Sequence, residues 1–229
     1  MQAHLNAKEP ANRNGPSAYQ GFEKYSLSQF FIVRNQLAFC TLNEPMRVIA
    51  GQYRSRRLIA PSGSDTRPTS DRLRETLFNV LSAGIPDSVW LDLFAGSGAV
   101  GIEALSRGAR MVYFVESVAR AAKTIRANLR SLSITEGFEV QEREAVQALR
   151  GLDAAAVVCD FCFIDPPYAE NTAYEQSLGF LSQSRLLTPK SIVIAEHDKH
   201  SDLEERYGAL QRFRRLQQGD AVLSFYRLA

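Results

Sequence analysis

The chain has 229 residues, 45% of them hydrophobic and 23% charged, with a net charge of +2; this balance suits one globular domain with an appendage and excludes a wholly disordered or fibrous chain. Three cysteines, Cys40, Cys159 and Cys162, are too few and too unevenly spaced for a disulfide framework, which points to a reducing cytoplasm. The most apolar early stretch, Phe30 to Cys40, is broken by Arg34, Asn35 and Gln36 and cannot span a bilayer, and no basic-then-apolar leader opens the chain.

The charge is unevenly spread. Residues 46–76 carry seven arginines against three acids, and residues 206–229 carry five against Asp220 alone, so the rest of the chain is acidic. Arginine at this density suits a polyanion, because each guanidinium offers a planar fork to phosphate and displaces counterions. A solvated surface accounts for the charge equally well.

Residues 1–45 are polar and without a sustained period, and read as a flexible extension or a mis-called start. In residues 46–66, Arg47-Val48-Ile49 and Arg57-Leu58-Ile59 flank the turn-like Gly51-Gln52-Tyr53, which predicts a small hairpin bearing arginines. Pro61 to Pro68 reads as a loop. Thr69 or Ser70 can cap a helix in which Leu73, Leu77, Phe78 and Leu81 recur at helical spacing, ending at Gly84 and Pro86. Strands and helices then alternate. Strands are expected at Val89–Phe94, Met111–Glu116, Phe138–Gln141, Phe161–Asp165 and Ser191–Glu196, with helices between them from about Ala99, to about Arg130, at Ala145–Leu149 and around Tyr174–Leu181. Such alternation predicts a mostly parallel, Rossmann-like α/β sheet with helices on both faces across residues 67–229. Arg212–Leu216 and Ala221–Leu228 around Gly219-Asp220 predict an antiparallel edge.

The first strand runs into Asp92-Leu93-Phe94-Ala95-Gly96-Ser97-Gly98-Ala99-Val100-Gly101. Glycines here let the backbone bend close to a ligand at the carboxyl ends of the strands. The G-x-G-x-x-G spacing alone is weak evidence for a dinucleotide. Asp92 redirects it: a carboxylate there repels pyrophosphate but suits the ammonium of an amino-acid cofactor. Glu116, closing the second strand, can accept from both ribose hydroxyls. Together they favour S-adenosylmethionine, with Phe94, Ala95, Gly96, Ser97 and Gly98 forming the bend and Glu144 and Ala145 near the adenine. An ordinary turn acid and a helix cap are the plainer alternative.

The fourth strand ends in Asp165-Pro166-Pro167-Tyr168. Two prolines cannot continue a strand or a helix, so the segment must be a rigid loop beside the glycine bend. An exocyclic amine on a nucleic-acid base is a poor nucleophile because its lone pair is delocalised into the ring. The Asp165 carboxylate and the Pro166 carbonyl can accept its two N–H bonds, turning the lone pair toward a sulfonium methyl, while Tyr168 stacks on the base. Cys159 and Cys162 read as buried thiols, His197 and His200 as loop residues, and no metal is expected.

At this point the chain resembles the RsmD-type methyltransferases. The resemblance covers Met46 to Ala229 and rests on Arg47-Val48-Ile49-Ala50-Gly51, the run Arg67-Pro68-Thr69-Ser70-Asp71-Arg72-Leu73-Arg74-Glu75-Thr76-Leu77-Phe78, the glycine bend, Glu103-Ala104-Leu105-Ser106-Arg107-Gly108-Ala109 and Asp165-Pro166-Pro167-Tyr168. It implies a seven-stranded sheet and methyl transfer to the N2 of one guanine in small-subunit (16S) ribosomal RNA, within an assembled particle, by a monomeric enzyme. It also implies RNA contacts from the hairpin and the following helix: Arg47, Arg54, Arg56, Arg57, Arg67, Arg72 and Arg74. The rivals are a DNA adenine-N6 or cytosine-N4 methyltransferase, which usually carries a target-recognition insertion, a glutamine-N5 protein methyltransferase, which favours Asn at position 165, and a non-catalytic RNA-binding module that keeps a cofactor pocket.

Overall fold

A computed structural model of the chain describes residues 46–61, 70–167, 171–201 and 203–229. The expected extension at 1–45, Thr69, and two expected site residues, Arg67 and Tyr168, lie outside the described residues.

Strand β1 (Val89–Leu93) is buried at every position, which requires cover on both faces of the sheet. It pairs in parallel with β2 (Met111–Val115) on one side and β4 (Phe161–Ile164) on the other. Strand β3 (Phe138–Gln141) lies outside β2, and β5 (Ile192–Asp198) outside β4. With β6 (Arg206–Tyr207), β7 (Leu210–Gln218) and β8 (Ala221–Leu228), the order is β3-β2-β1-β4-β5-β8-β7-β6. The direction of winding reverses between β1 and β4, the switch point at which open α/β sheets bind ligands.

Three details differ from expectation. A two-residue β6 adds an eighth strand to the anticipated seven. Within the C-terminal hairpin it is the last strand, β8, that pairs antiparallel with β5, leaving β7 and β6 outermost. Burial explains the order: Val222–Tyr226 is an unbroken buried run that needs neighbours on both sides, while much of β7 is exposed. His197 is likewise no loop residue. It lies within β5, 2% exposed, because pairing with Val222 carries that strand on to Asp198.

The helices are α1 (Asp71–Leu81), α2 (Ala99–Ser106), α3 (Ala119–Ser131), α4 (Ala145–Ala154) and α5 (Asn171–Leu181), with a 3-10 turn at Ser82–Gly84. Ser70 is the cap of α1, its hydroxyl accepting from the Leu73 N–H at 3.2 Å. The buried stripe Leu73, Leu77, Phe78 and Leu81 lays α1 against the sheet, where Trp90 sits between Phe78 and Phe161 at centroid distances of 5.1 and 4.8 Å. Each fully buried side chain of this size contributes roughly 1.5–3 kcal/mol.

The arginine-bearing hairpin forms. Arg47 and Arg57 make an antiparallel bridge, and Val48 N–H and Ser55 N–H bond to the carbonyls of Arg56 and Val48. Val48 and Leu58 enter the same core cluster as α1 and β1. Three buried polar groups pin the hairpin to the domain. The Glu103 carboxylate accepts from Ile49 N–H (2.7 Å) and Ala50 N–H (3.0 Å), Ser106 Oγ accepts from Tyr53 N–H (3.0 Å), and the Asn128 amide both accepts from Ile59 N–H (2.8 Å) and donates to Ile59 O (3.0 Å).

Candidate active site

The bend after β1 is held from below and from the side. Asp92, 2% exposed, accepts from Gly101 N–H at 2.9 Å and so fixes the first turn of α2. Glu116 bridges the bend to its own turn, one oxygen accepting from Gly96 N–H and the other from Val118 N–H, both at 2.8 Å. Ala95 N–H bonds to Val115 O at 3.0 Å, and Gly98 caps α2. The Ser97 carbonyl receives the second N–H of Asn128 at 2.9 Å, so one buried amide ties the bend to the hairpin's exit strand.

Two glycines have separable reasons. Gly96 has φ +55°, and a Cβ there would meet no atom nearer than 4.0 Å, so this side of the bend is open to a ligand. Gly101 instead lies flat against the Phe114 ring and Val112, where a side chain would collide; it serves the packing of α2 on the sheet.

Burial pushes the Asp92 carboxyl up to about 7, with Glu116 adding to the rise and the Gly101 N–H opposing it. An acid poised near neutrality ionises readily when a cation arrives beside it. The bend, a near-neutral acid beneath it and a carboxylate at the tip of β2 are a donor and acceptor set that fits S-adenosylmethionine.

The doubled-proline corner begins one residue beyond β4. Leu93 and Ile164 are register partners, so Phe94 and Asp165 leave adjacent strands, about 4.8 Å apart in such a sheet, at the same level. Phe94 turns at φ +61°, while Asp165 is half-buried, Pro166 buried and Pro167 exposed. Glu144 is exposed at the start of α4, and Ala145 is buried in that helix's contact with the sheet.

One expected RNA contact needs correction. Arg74 is fully buried and cannot reach RNA: it lies on the inner stripe of α1, where its guanidinium donates to Arg47 O and to Asp71 (2.8 Å). Desolvation lowers its pKa against the opposing pull of Asp71 and Glu103. Arg47, Arg54, Arg56, Arg57 and Arg72 are exposed. Arg47 pairs with Asp71 at 3.4 Å and Arg56 donates to Ser131 O at 3.1 Å.

Sequence reasoning assigned no role to Glu103, Asn128 or Glu196. Glu196, 3% exposed, follows Ala195, the register partner of Ile164, and is therefore level with Asp165 on the next strand; its carbonyl accepts from Tyr174 OH at 2.6 Å. The signal for it in the sequence is an acid directly after the apolar run of residues 192–195. Cys159 and Cys162 are buried thiols whose pKa values are raised by burial, Cys159 to about 12. Among the described residues no cluster of three or more His, Cys, Asp or Glu could hold a metal, and no helix is long and apolar enough to cross a membrane.

A mostly parallel sheet with a glycine bend and an Asp-Pro-Pro corner on adjacent strand tips defines an S-adenosylmethionine-dependent methyltransferase. Comparison with known proteins agrees. The family described as Conserved hypothetical protein 95 matches residues 46–227. The chain is 35% identical over 182 residues to a proposed rRNA methyltransferase of Bacillus subtilis, YlbH, covering 80% of this chain and 98% of that one. It is 38% identical over 159 residues to the ribosomal RNA small subunit methyltransferase D of Haemophilus influenzae, covering 69% and 81%. A solved Escherichia coli structure described as a proposed methyltransferase, yhhF, superimposes with a TM-score of 0.69 at 32% identity, covering 80% of this chain and 97% of that one. The chain belongs to this family, the RsmD-type methyltransferases.

Proposed function

We propose that the chain transfers a methyl group from S-adenosylmethionine to the N2 amino group of a guanine in small-subunit ribosomal RNA, acting as a monomer on an assembled particle. The observation that supports this reading is the register of Leu93 with Ile164, which brings the glycine bend and the Asp-Pro-Pro corner to the same level on adjacent strands. The names of the relatives support ribosomal RNA as the substrate, and the resemblance in the Arg67–Phe78 run supports guanine N2.

The cofactor supplies an electrophilic methyl on a sulfonium. Glu116 would accept from the ribose hydroxyls while still holding Gly96, which would link cofactor binding and bend shape through one carboxylate. Asp92 would balance the charge of the amino-acid end, and Glu144 and Ala145 would lie beside the adenine. The target base must be turned out of its stack to enter. Asp165 and the Pro166 carbonyl then accept the two amine N–H bonds, which points the nitrogen lone pair at the methyl. Tyr168 stacks on the base and holds its plane. As the methyl arrives the nitrogen becomes acidic, and its proton leaves along the bond to the Asp165 carboxylate. Arg47, Arg54, Arg56, Arg57, Arg67 and Arg72 hold the phosphates around the crevice.

The test is mass spectrometry of ribosomal RNA nucleosides from cells lacking the protein. A small-subunit N2-methylguanosine should disappear and return on complementation. An unchanged nucleoside profile would remove this assignment.

A further inference from the structure

The second arginine cluster lies on the outer strand β7, far from the hairpin in sequence. A register shift between Arg212 and Arg214 inserts Phe213 as an extra residue opposite β8, and such a bulge re-aims the side chains around it. Phe213 is 42% exposed, yet its ring is engaged: Arg227 lies 5.2 Å over it, and Phe225, buried beneath, is 6.3 Å from it. Arg214 in turn lies 5.8 Å over Phe225. Phe213, Arg214 and Arg227 thus gather on one face.

That face is the one that carries α1 and the hairpin. Phe225 belongs to the core cluster of Val48, Leu58, Leu73 and Leu77, and Thr76 of α1 donates to Gln218 at the far end of β7 at 3.2 Å. Charge on an edge strand has a common plain purpose, which is to prevent edge-to-edge pairing. Two observations go beyond it. An exposed aromatic ring does not serve that purpose. Nor is Arg214 or Arg227 paired with a carboxylate among the described residues, whereas Arg212 on the same strand is paired with Glu205.

We propose that Phe213, Arg214 and Arg227 form a second RNA contact that receives an unpaired nucleotide, its base stacked on Phe213 and its phosphates on the two guanidiniums. The inference rests on the reading of RNA as substrate and adds a path for it, from the hairpin across α1 to the outer strand. Stacking of this kind tolerates any base, so the contact contributes affinity and direction, while the choice of target stays with the crevice.

The experiment measures binding of the full chain to fluorescein-labelled 12-nucleotide oligouridylate by anisotropy across a salt series, with thermal melts to verify folding. Phe213→Leu should weaken binding about tenfold, and Phe213→Trp should retain it. Arg214→Gln with Arg227→Gln should lower the slope of log affinity against log salt by about 1.4, two single-strand phosphate contacts. Unchanged affinity in Phe213→Leu together with an unchanged slope in the double variant would overturn the proposal. So would variants that bind oligouridylate normally but lose affinity for intact small-subunit particles, since the face would then meet a ribosomal protein. Arg57→Ala separates the two readings. If it weakens oligouridylate binding while the β7 variants do not, RNA stands as substrate and this contact fails; if the unaltered chain binds no RNA, the reading beneath it fails.

Discussion

Leu93 and Ile164 stand opposite each other on adjacent parallel strands, and each is the last strand residue before a loop with chemistry in it. Because parallel pairing fixes their level, the glycine bend and the Asp165 corner leave the sheet side by side. A functional group carried on paired strands is placed more precisely than one carried on a loop, so the spacing between the two strand ends is set by the scaffold.

Arg72 and Arg74 should behave oppositely despite standing one residue apart. Arg74→Ala leaves Asp71 and Arg47 O without their buried donor and should cost about 3 kcal/mol in denaturant unfolding. Arg72→Ala should stay within about 0.5 kcal/mol of the parent while weakening RNA binding and flattening its salt dependence. Equal stability of the two variants would contradict the burial assigned to Arg74.

Asn128→Ala removes three hydrogen bonds at once, two to Ile59 and one to Ser97. The backbone groups left unpaired are only partly buried and cost about 1 kcal/mol each, the low end of the range, so a loss of roughly 3 kcal/mol is expected. Since Ser97 lies in the bend, cofactor affinity measured by calorimetry should fall as well. A variant that melts lower but binds the cofactor as tightly as before would limit Asn128 to holding the hairpin.

Asp92 gives a pH signature. Its carboxyl titrates near 7 in the folded protein and near 4 in an unfolded chain. Between those values the folded state keeps a proton that the unfolded state has lost, so this contribution to stability is complete below pH 4, declines as pH rises and is gone above about 7. Asp92→Asn cannot titrate. From pH 5 to pH 8 the parent should therefore lose about 2–3 kcal/mol relative to this variant in paired urea titrations. A constant difference between the two proteins across that range would refute the raised pKa.

The parts legible from sequence were those written in short range. The glycine bend and the Asp-Pro-Pro corner announce themselves because φ preferences and missing N–H groups act within a few residues. The alternation of elements was equally visible in the apolar runs. Arg74 reads as a surface contact by its charge, yet its position puts it on the buried stripe, three, four and seven residues before Leu77, Phe78 and Leu81. Glu103 and Asn128 are out of reach of sequence for another reason: their partners in the hairpin lie 53 to 69 residues away, and nothing local marks an acid or an amide as the anchor of a distant hairpin. His197 looked like a loop residue until the pairing with β8 extended its strand.

The role proposed for Asp165 is to orient the target amine beside the glycine bend. It is tested most directly by Asp165→Ala in two parallel measurements: cofactor affinity by calorimetry, and transfer of labelled methyl to small-subunit particles from cells lacking the protein. The cofactor dissociation constant should be unchanged and methyl transfer lost by at least about a hundredfold, the scale of a misplaced reacting group. Methyl transfer at the parent rate in that variant would contradict it.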